Sequence, residues 1–234
     1  MKLIIFDCDG TLVDSQHMIV AAMHAAFGAH DLPVPARERL LSIVGLSLHQ
    51  AFHVLGNGEA AFPVASLVEG YKAAFFDLRQ TGEHLEPLFP GAREAVEALD
   101  RRADIVLGIA TGKSQRGVRA VLGRHGLIDC FRTIQTADDA PSKPDPGMVL
   151  AAMQEVDVAP ANTVVIGDTS YDMAMAQAAG AAGIGVAWGY HPADALHAAG
   201  ARAVIGDFAE LMPALEHVWA PPEPEGDAPR RGAP

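Results

Sequence analysis

Short apolar runs alternate with helical patterns along most of the chain. The first run, at residues 2–6, stops abruptly at Asp7. Three similar runs follow much later, at residues 104–110, 163–167 and 182–188. Runs of this length are typical of buried parallel strands. Patterns of helical period lie between them, at residues 91–102, 114–125, 146–156 and 171–179. The alternation predicts an α/β fold with a doubly wound, mostly parallel sheet.

A long helical insert separates the first two predicted strands. Nearly a hundred residues lie between them, far more than one strand-to-helix connection needs. Helical patterns at 17–30, 47–55 and 60–81 fill this part of the chain. We therefore predict a core made of residues 1–14 and 89–219, and a helical insert at residues 15–88. The last segment, 220–234, contains five prolines, and we expect it to be disordered.

Charge and composition exclude several classes of partner. Acidic residues outnumber basic ones 29 to 17, and the net charge is −12. A protein that binds the phosphate backbone needs the opposite sign, so nucleic acid is not an expected partner. The apolar start of the chain is too short for a signal peptide, and no stretch is typical of a membrane span. Two cysteines give no disulfide framework, which indicates a reducing compartment such as the cytoplasm.

Two carboxylates close the first predicted strand. Asp7 and Asp9 are two residues apart, so they would point to the same side if the strand stayed regular. Adjacent carboxylates repel each other, and a hard cation such as Mg²⁺ offsets that repulsion. Gly10 allows the chain to turn sharply directly afterwards. The motif therefore predicts a magnesium site.

Further polar motifs occur where ligands bind in open α/β sheets, outside the carboxyl ends of strands. Thr111 and Gly112 follow the second predicted strand, and their hydroxyl and amide suit phosphate oxygens. Lys143, one of four lysines in the chain, stands just before a predicted helix. Asp168 and Asp172 follow the third predicted strand.

The ordered set of motifs resembles the haloacid dehalogenase (HAD) superfamily of phosphotransferases, and in particular its phosphoglycolate phosphatase-like members. The resemblance covers roughly residues 1–215. It implies a Rossmann-like catalytic core, with the insert at residues 15–88 as a helical cap of the C1 type. Caps of this kind act as lids over the site.

The resemblance also implies a role for each motif residue. Asp7 would attack phosphorus to form an aspartyl-phosphate, and Asp9 would act as general acid and base. Asp7, the backbone carbonyl of Asp9, and Asp168 would hold Mg²⁺. Asp172 would orient Asp168 or a water on the metal. The residues expected around the phosphoryl group or the rest of the substrate are Thr111, Lys143, Gly10, Thr11, Gly112, Lys72 and His17.

Thr11 is expected to hold Asp9 in place. In the cap, Arg39, His49 and Arg79 join Lys72 and His17 as candidate substrate contacts, although cations on a helix usually face solvent.

The resemblance implies a small phosphorylated metabolite as substrate, with 2-phosphoglycolate the first choice. For the oligomeric state, a monomer and a homodimer are both open. Two alternatives remain open. One is a sugar-phosphate mutase of the beta-phosphoglucomutase type, but those proteins carry a cap histidine where this chain has Ile19, and tend to carry an arginine where it has Val44 before Gly45. The other is a phospho-aspartate signalling switch without turnover.

Overall fold

The computed structural model of the chain describes residues 1–82 and 86–220. In these residues, six parallel strands form one sheet in the order β3-β2-β1-β4-β5-β6. The strands are β1 (Lys2–Phe6), β2 (Ile105–Thr111), β3 (Thr133–Thr136), β4 (Thr163–Gly167), β5 (Ala182–Val186) and β6 (Ala201–Ile205). The strand order reverses between β1 and β4, which is where doubly wound sheets bind their ligands.

Helices fill the insert and cover the sheet. The insert contains α1 (Gln16–Gly28), α2 (Arg37–Leu41), α3 (Leu48–Leu55) and α4 (Val64–Thr81). The helices that follow are α5 (Ala92–Asp100), α6 (Gln115–Arg124), α7 (Gly147–Val156), α8 (Ser170–Ala178), α9 (Ala193–Ala198) and α10 (Leu211–Trp219). No helix in the described ranges is long and apolar enough to cross a membrane.

The central strand β1 is buried on both faces because its side chains alternate between two apolar clusters. Ile4 and Phe6 belong to one cluster, and Leu3 and Ile5 belong to the other. The insert has an apolar cluster of its own, built on α1, α3 and α4. The separate cluster supports the division into a core (1–14 and 89–219) and a cap (15–88), which we keep as a proposal.

The predicted fold class is confirmed, but the pattern of apolar runs missed two strands. The strands β3 and β6 lie at the two edges of the sheet, where side chains are only partly buried. Their sequences are therefore not continuous apolar runs. The short helix α2 and the helices α9 and α10 were also not predicted. The proposed disordered tail, apart from Ala220, lies outside the described residues.

Replacement of a central core residue should destabilise the protein strongly. Ile166 on β4 is completely buried, so Ile166→Ala should lower the free energy of unfolding by about 2–5 kcal/mol. Leu150→Ala is the matched control, since Leu150 is 47% exposed and its change should stay within about 0.5 kcal/mol. Urea titration of both variants measures the difference. Equal effects at the two positions would contradict the described sheet.

Candidate active site

Three aspartates meet beside the point where the strand order reverses. Asp7 directly follows β1 and Asp168 directly follows β4, the neighbouring strand. The Asp7 amide donates to the carbonyl of Ile166 at 2.9 Å and so extends the pairing between the strands. Asp172 lies in the first turn of α8. One carboxylate oxygen from each aspartate lies within 4.8 Å of the others, and all three residues are buried.

The helix α8 positions Asp172 through its first turn. Thr169 caps this helix with its hydroxyl and backbone, and the Asp172 carboxylate accepts from both the amide and the hydroxyl of Thr169, at 3.1 and 2.7 Å. The reciprocal bonds satisfy amides that a helix start leaves unpaired. Asp172 is thereby held rigidly beside the other two carboxylates.

Lys143 binds two of the three aspartates. Its Nζ lies 2.6 Å from Asp172 Oδ1 and 3.0 Å from Asp7 Oδ1, and its side chain is completely buried. Burial disfavours the charged ammonium, but the Asp172 and Asp7 carboxylates outweigh that effect and raise the pKa of Lys143. The ammonium therefore stays charged and offsets one of the three negative charges.

The chemistry of this cluster fits a divalent cation. Burial raises the pKa of the Asp7 carboxyl to about 6, against the lowering effect of Lys143. Burial, together with Asp172 and Asp7, also raises the pKa of Asp168. Burial is the largest cause of both shifts, and the neighbouring carboxylates add to it. Among the described residues, Asp7 Oδ2 has no hydrogen-bond partner. Three buried carboxylates within 4.8 Å of one another, with one ammonium among them, are the kind of donor set that Mg²⁺ binds.

Gly10 and Thr11 surround Asp168. Gly10 has a positive φ of 84°, and a Cβ atom there would collide with the Asp168 carboxylate. The Thr11 hydroxyl donates to Asp168 Oδ1 and the Tyr190 amide donates to Oδ2, both at 2.9 Å. The expectation that Thr11 holds Asp9 is therefore wrong. The turn after β1 carries the hydroxyl toward the end of β4 instead.

The hydrogen-bond partners of Asp9 are residues that the sequence analysis did not predict. Its Oδ1 accepts from the Ser15 hydroxyl at 2.7 Å, and Lys113 Nζ lies 2.8 and 2.9 Å from its two carboxylate oxygens. Lys113 also lies 3.4 Å from Glu86, which pairs with Arg79 at 2.7 Å. Lys113 directly follows Thr111-Gly112, but no pattern in the sequence indicated its partner 104 residues away.

Lys113 and Asp9 form an ion pair that is mostly buried. Burial disfavours the Lys113 ammonium, but Asp9 and Glu86 outweigh that effect and raise its pKa. Its side chain is 8% exposed. A charged pair of this kind holds the Asp9 carboxylate in one orientation.

Thr111 and Gly112 lie at the end of β2, where the backbone of the insert packs closely against the strand. The Thr111 side chain is buried, and its hydroxyl accepts from the Lys113 amide at 3.3 Å. A Cβ atom on Gly112 would lie 2.5 Å from the carbonyl oxygens of both Gly45 and Leu46. Only glycine allows the backbone of the insert to approach the strand end this closely.

A cavity of about 260 Å³ lies between the insert and the strand ends. Asp7, Asp9 and Thr111 line it from the core, and residues of α1, α3, α4 and the loop between α2 and α3 line it from the insert. Of the predicted cap contacts, Lys72 and Arg79 line this cavity. His17, Arg39 and His49 are exposed and are not among the described residues that line it.

The two cap cations that line the cavity already have partners. Lys72 forms an exposed ion pair with Glu69 at 2.9 Å. Arg79 makes two hydrogen bonds to Glu86, at 2.7 and 3.0 Å. Arg39 instead donates a hydrogen bond to the carbonyl of Val54, near the end of α3. The structure thus brings the motif residues together and leaves most predicted cap contacts outside.

Comparison with known proteins identifies the family. The family model described as haloacid dehalogenase-like hydrolase matches residues 4–186, and the chain belongs to this family. The chain is 36% identical to the probable phosphatase IndB of Dickeya dadantii over 90% of its length and 91% of that protein. It is 32% identical to a phosphoglycolate phosphatase of Chromobacterium violaceum, over 93% of this chain and 97% of the relative.

A solved structure has the same overall fold. A hydrolase from Pseudomonas syringae superposes with a TM-score of 0.82 and 30% identity, covering 94% of this chain and all of that one (100%). The family and these relatives identify the chain as a phosphatase of the HAD superfamily, and its resemblance to phosphoglycolate phosphatases is confirmed.

An alanine at position 10 should weaken the binding of divalent metal ions. The added Cβ would displace the Asp168 carboxylate and would be strained at a positive φ. Changes beside metal ligands typically cost about 10–100-fold in affinity, and we expect a loss of that size for Gly10→Ala. Isothermal titration with Mg²⁺ measures it. Gly123→Ala is the control, since a Cβ there meets nothing within 4 Å. Unchanged affinity in Gly10→Ala would exclude Asp168 as a ligand.

Proposed function

We propose that this protein hydrolyses phosphomonoesters through an aspartyl-phosphate on Asp7. The observation that carries the proposal is the state of the Asp7 carboxylate, which faces the cavity. Its Oδ1 accepts from the Cys8 amide at 2.7 Å and lies 3.0 Å from Lys143, while its Oδ2 has no hydrogen-bond partner among the described residues. One oxygen is held and the other is free to act as a nucleophile.

In the first step, Asp7 Oδ2 attacks phosphorus and a new P–O bond forms. The bond between phosphorus and the ester oxygen breaks, and its electron pair goes to the departing alkoxide. Asp9, which also lines the cavity, must carry a proton in this step, and it donates that proton to the alkoxide, which leaves as an alcohol. In the second step, Asp9 takes a proton from water as that water attacks phosphorus. The bond between phosphorus and Asp7 Oδ2 breaks, its electron pair returns to the Asp7 carboxylate, and inorganic phosphate leaves.

Other groups stabilise the transferred phosphoryl group and position the catalytic carboxylates. Lys143 supplies positive charge beside Asp7, and Thr111 and the Gly112 amide supply hydrogen bonds. Lys113 and Ser15 orient Asp9 through the contacts described above. A bound Mg²⁺ would be held by Asp7, Asp168 and the backbone carbonyl of Asp9, with Asp172 behind them, and would supply charge that stabilises the transition state.

A mutase is disfavoured by two residues of the insert. Ile19 and Val44 line the cavity, at the positions where the beta-phosphoglucomutase type has a histidine and tends to have an arginine. Neither aliphatic side chain can transfer a proton or bind a second phosphate. A signalling switch is disfavoured because Asp9 lines the same cavity as Asp7, ready to activate water.

The substrate class is a small phosphorylated metabolite, and the names of relatives make 2-phosphoglycolate one candidate within it. A cytoplasmic location agrees with the cysteines, both of which are free. For the oligomeric state, a monomer or a homodimer is the prediction.

Replacement of Asp7 by asparagine should abolish turnover. Loss of the nucleophile removes the covalent route, so phosphate release from p-nitrophenyl phosphate with Mg²⁺ should fall by at least about a thousandfold. Circular dichroism and the urea midpoint should show that the variant is folded. Wild-type phosphate release from a folded Asp7→Asn protein would refute the nucleophile assignment.

The loss of activity on replacing Asp9 should depend on the leaving group of the ester. Asp9→Asn should reduce kcat by about 10²–10⁴-fold for an alkyl phosphate, which needs a proton on its alkoxide. The loss should be smaller for p-nitrophenyl phosphate, whose leaving group departs unprotonated. Pre-steady-state measurement of p-nitrophenol release isolates this first step. Equal losses for both esters would argue against the general-acid role.

A further inference from the structure

The cavity above Asp7 has walls made mostly of apolar side chains. Beyond the polar floor of Asp7, Asp9 and Thr111, the insert contributes aliphatic, thioether and aromatic groups. Those that line the space are Ile19, Met23, Val44, Leu48, Tyr71 and Phe75. The alcohol part of a bound phosphoester would lie against these walls, because the phosphoryl group must reach Asp7.

The cations inside the cavity are already paired with carboxylates of the chain. Lys113 binds both oxygens of Asp9, and Arg79 binds Glu86 through two hydrogen bonds. Their charged groups also lie 5.1 and 5.0 Å from the centre of the Phe75 ring. In the described residues each of these two cations is therefore already held by a carboxylate of the chain.

The remaining cations lie at the exposed rim. Lys72 is paired with Glu69, and its side chain is 54% exposed. The Arg116 guanidinium lies 4.9 Å from the ring centre of Phe76, which is itself 44% exposed. A carboxylate on the alcohol part, as in 2-phosphoglycolate, would be desolvated wherever it lies against the apolar wall and away from this rim. Burial of an unpaired charge is strongly unfavourable.

The volume of the cavity suits a bulky alcohol. At about 260 Å³ it must hold the phosphoryl group as well as the alcohol part, and it is larger than an apolar protein cavity of about 150 Å³ that holds benzene. A two-carbon alcohol would leave much of the apolar wall without contacts. A longer alkyl chain or an aromatic ring would fill it. Each buried methylene should raise kcat/KM about fourfold.

We infer that the preferred substrate is a phosphomonoester of a bulky, largely apolar alcohol, alkyl or aryl, rather than one that carries a second anion. The apolar cap wall and the internally paired cations select it. The inference rests on the proposed phosphatase function and names the substrate class of that same site.

A series of primary alkyl phosphates tests this inference on the full-length protein. The esters are ethyl, butyl, hexyl and 2-phenylethyl phosphate, with 2-phosphoglycolate and glycerol 3-phosphate as polar comparisons. The alkanols have similar acidity, so differences in kcat/KM report on the contacts of the alcohol. We expect kcat/KM to rise about fourfold per methylene until the cavity is full. Hexyl phosphate should exceed 2-phosphoglycolate at least tenfold.

A pair of phenylalanine variants tests whether the cavity wall causes this preference. Phe75→Ala removes apolar surface from the wall and should reduce the ratio of hexyl to ethyl phosphate kcat/KM several-fold. Phe62→Ala is the matched control, because Phe62 packs in the same insert against Phe27 but lines a separate cleft. The control should keep the wild-type ratio. An equal fall in both variants would refute the role of the wall.

The outcomes separate the inference from the proposed function. A flat alkyl series, or a preference for 2-phosphoglycolate, overturns the inference and leaves the phosphatase mechanism intact. If folded protein with Mg²⁺ releases phosphate from no ester, including p-nitrophenyl phosphate, the proposed function fails and the inference fails with it.

Discussion

Burial of like charges beside one another is the constraint on which the site depends. Asp7, Asp168 and Asp172 lie together in the interior, and the single ammonium of Lys143 offsets one of them. The remaining negative charge is tolerated because each carboxylate has donors: the Cys8 amide, the Thr11 hydroxyl and the α8 capping box among them. The cluster is therefore preorganised to receive positive charge of the kind that a metal ion supplies.

A second charged network lies at the other side of the cavity and depends on the insert. Ser15, at the start of α1, and Glu86, after α4, both contact groups at the core's strand ends. The Ser47 amide likewise donates to the Ser142 hydroxyl at 2.8 Å, close in sequence to Lys143. The insert thus contributes to the orientation of Asp9 as well as to the walls around the leaving group. Placement of the general acid and choice of substrate are coupled through the same segment.

The central part of the fold was predictable because its signals are local. The strands β1 and β4 are buried on both faces, so their sequences are uninterrupted apolar runs that end at aspartates. Edge strands lack this signal, and β6 includes the exposed Arg202. Several catalytic residues were visible for a related reason, since Asp7 and Asp168 directly follow strands and Thr111 ends one. The cap contacts were poorly predicted because α1 is only weakly amphipathic, so its sequence does not show which side faces the cavity. In the structure Ile19 lines the cavity and His17 is exposed.

The amino-acid sequence by itself determined which charged groups stand at the strand ends and in what order, since these positions follow from strand length and the residues after each strand. It also determined that a large insert interrupts the core. Only the tertiary structure decided the partners. The contacts of Lys113 with Asp9, of Thr11 with Asp168 and of Arg79 with Glu86 join separate segments of the chain. The physical reason is that the energy of a buried charge depends on everything packed around it, and that packing exists only after the chain has folded.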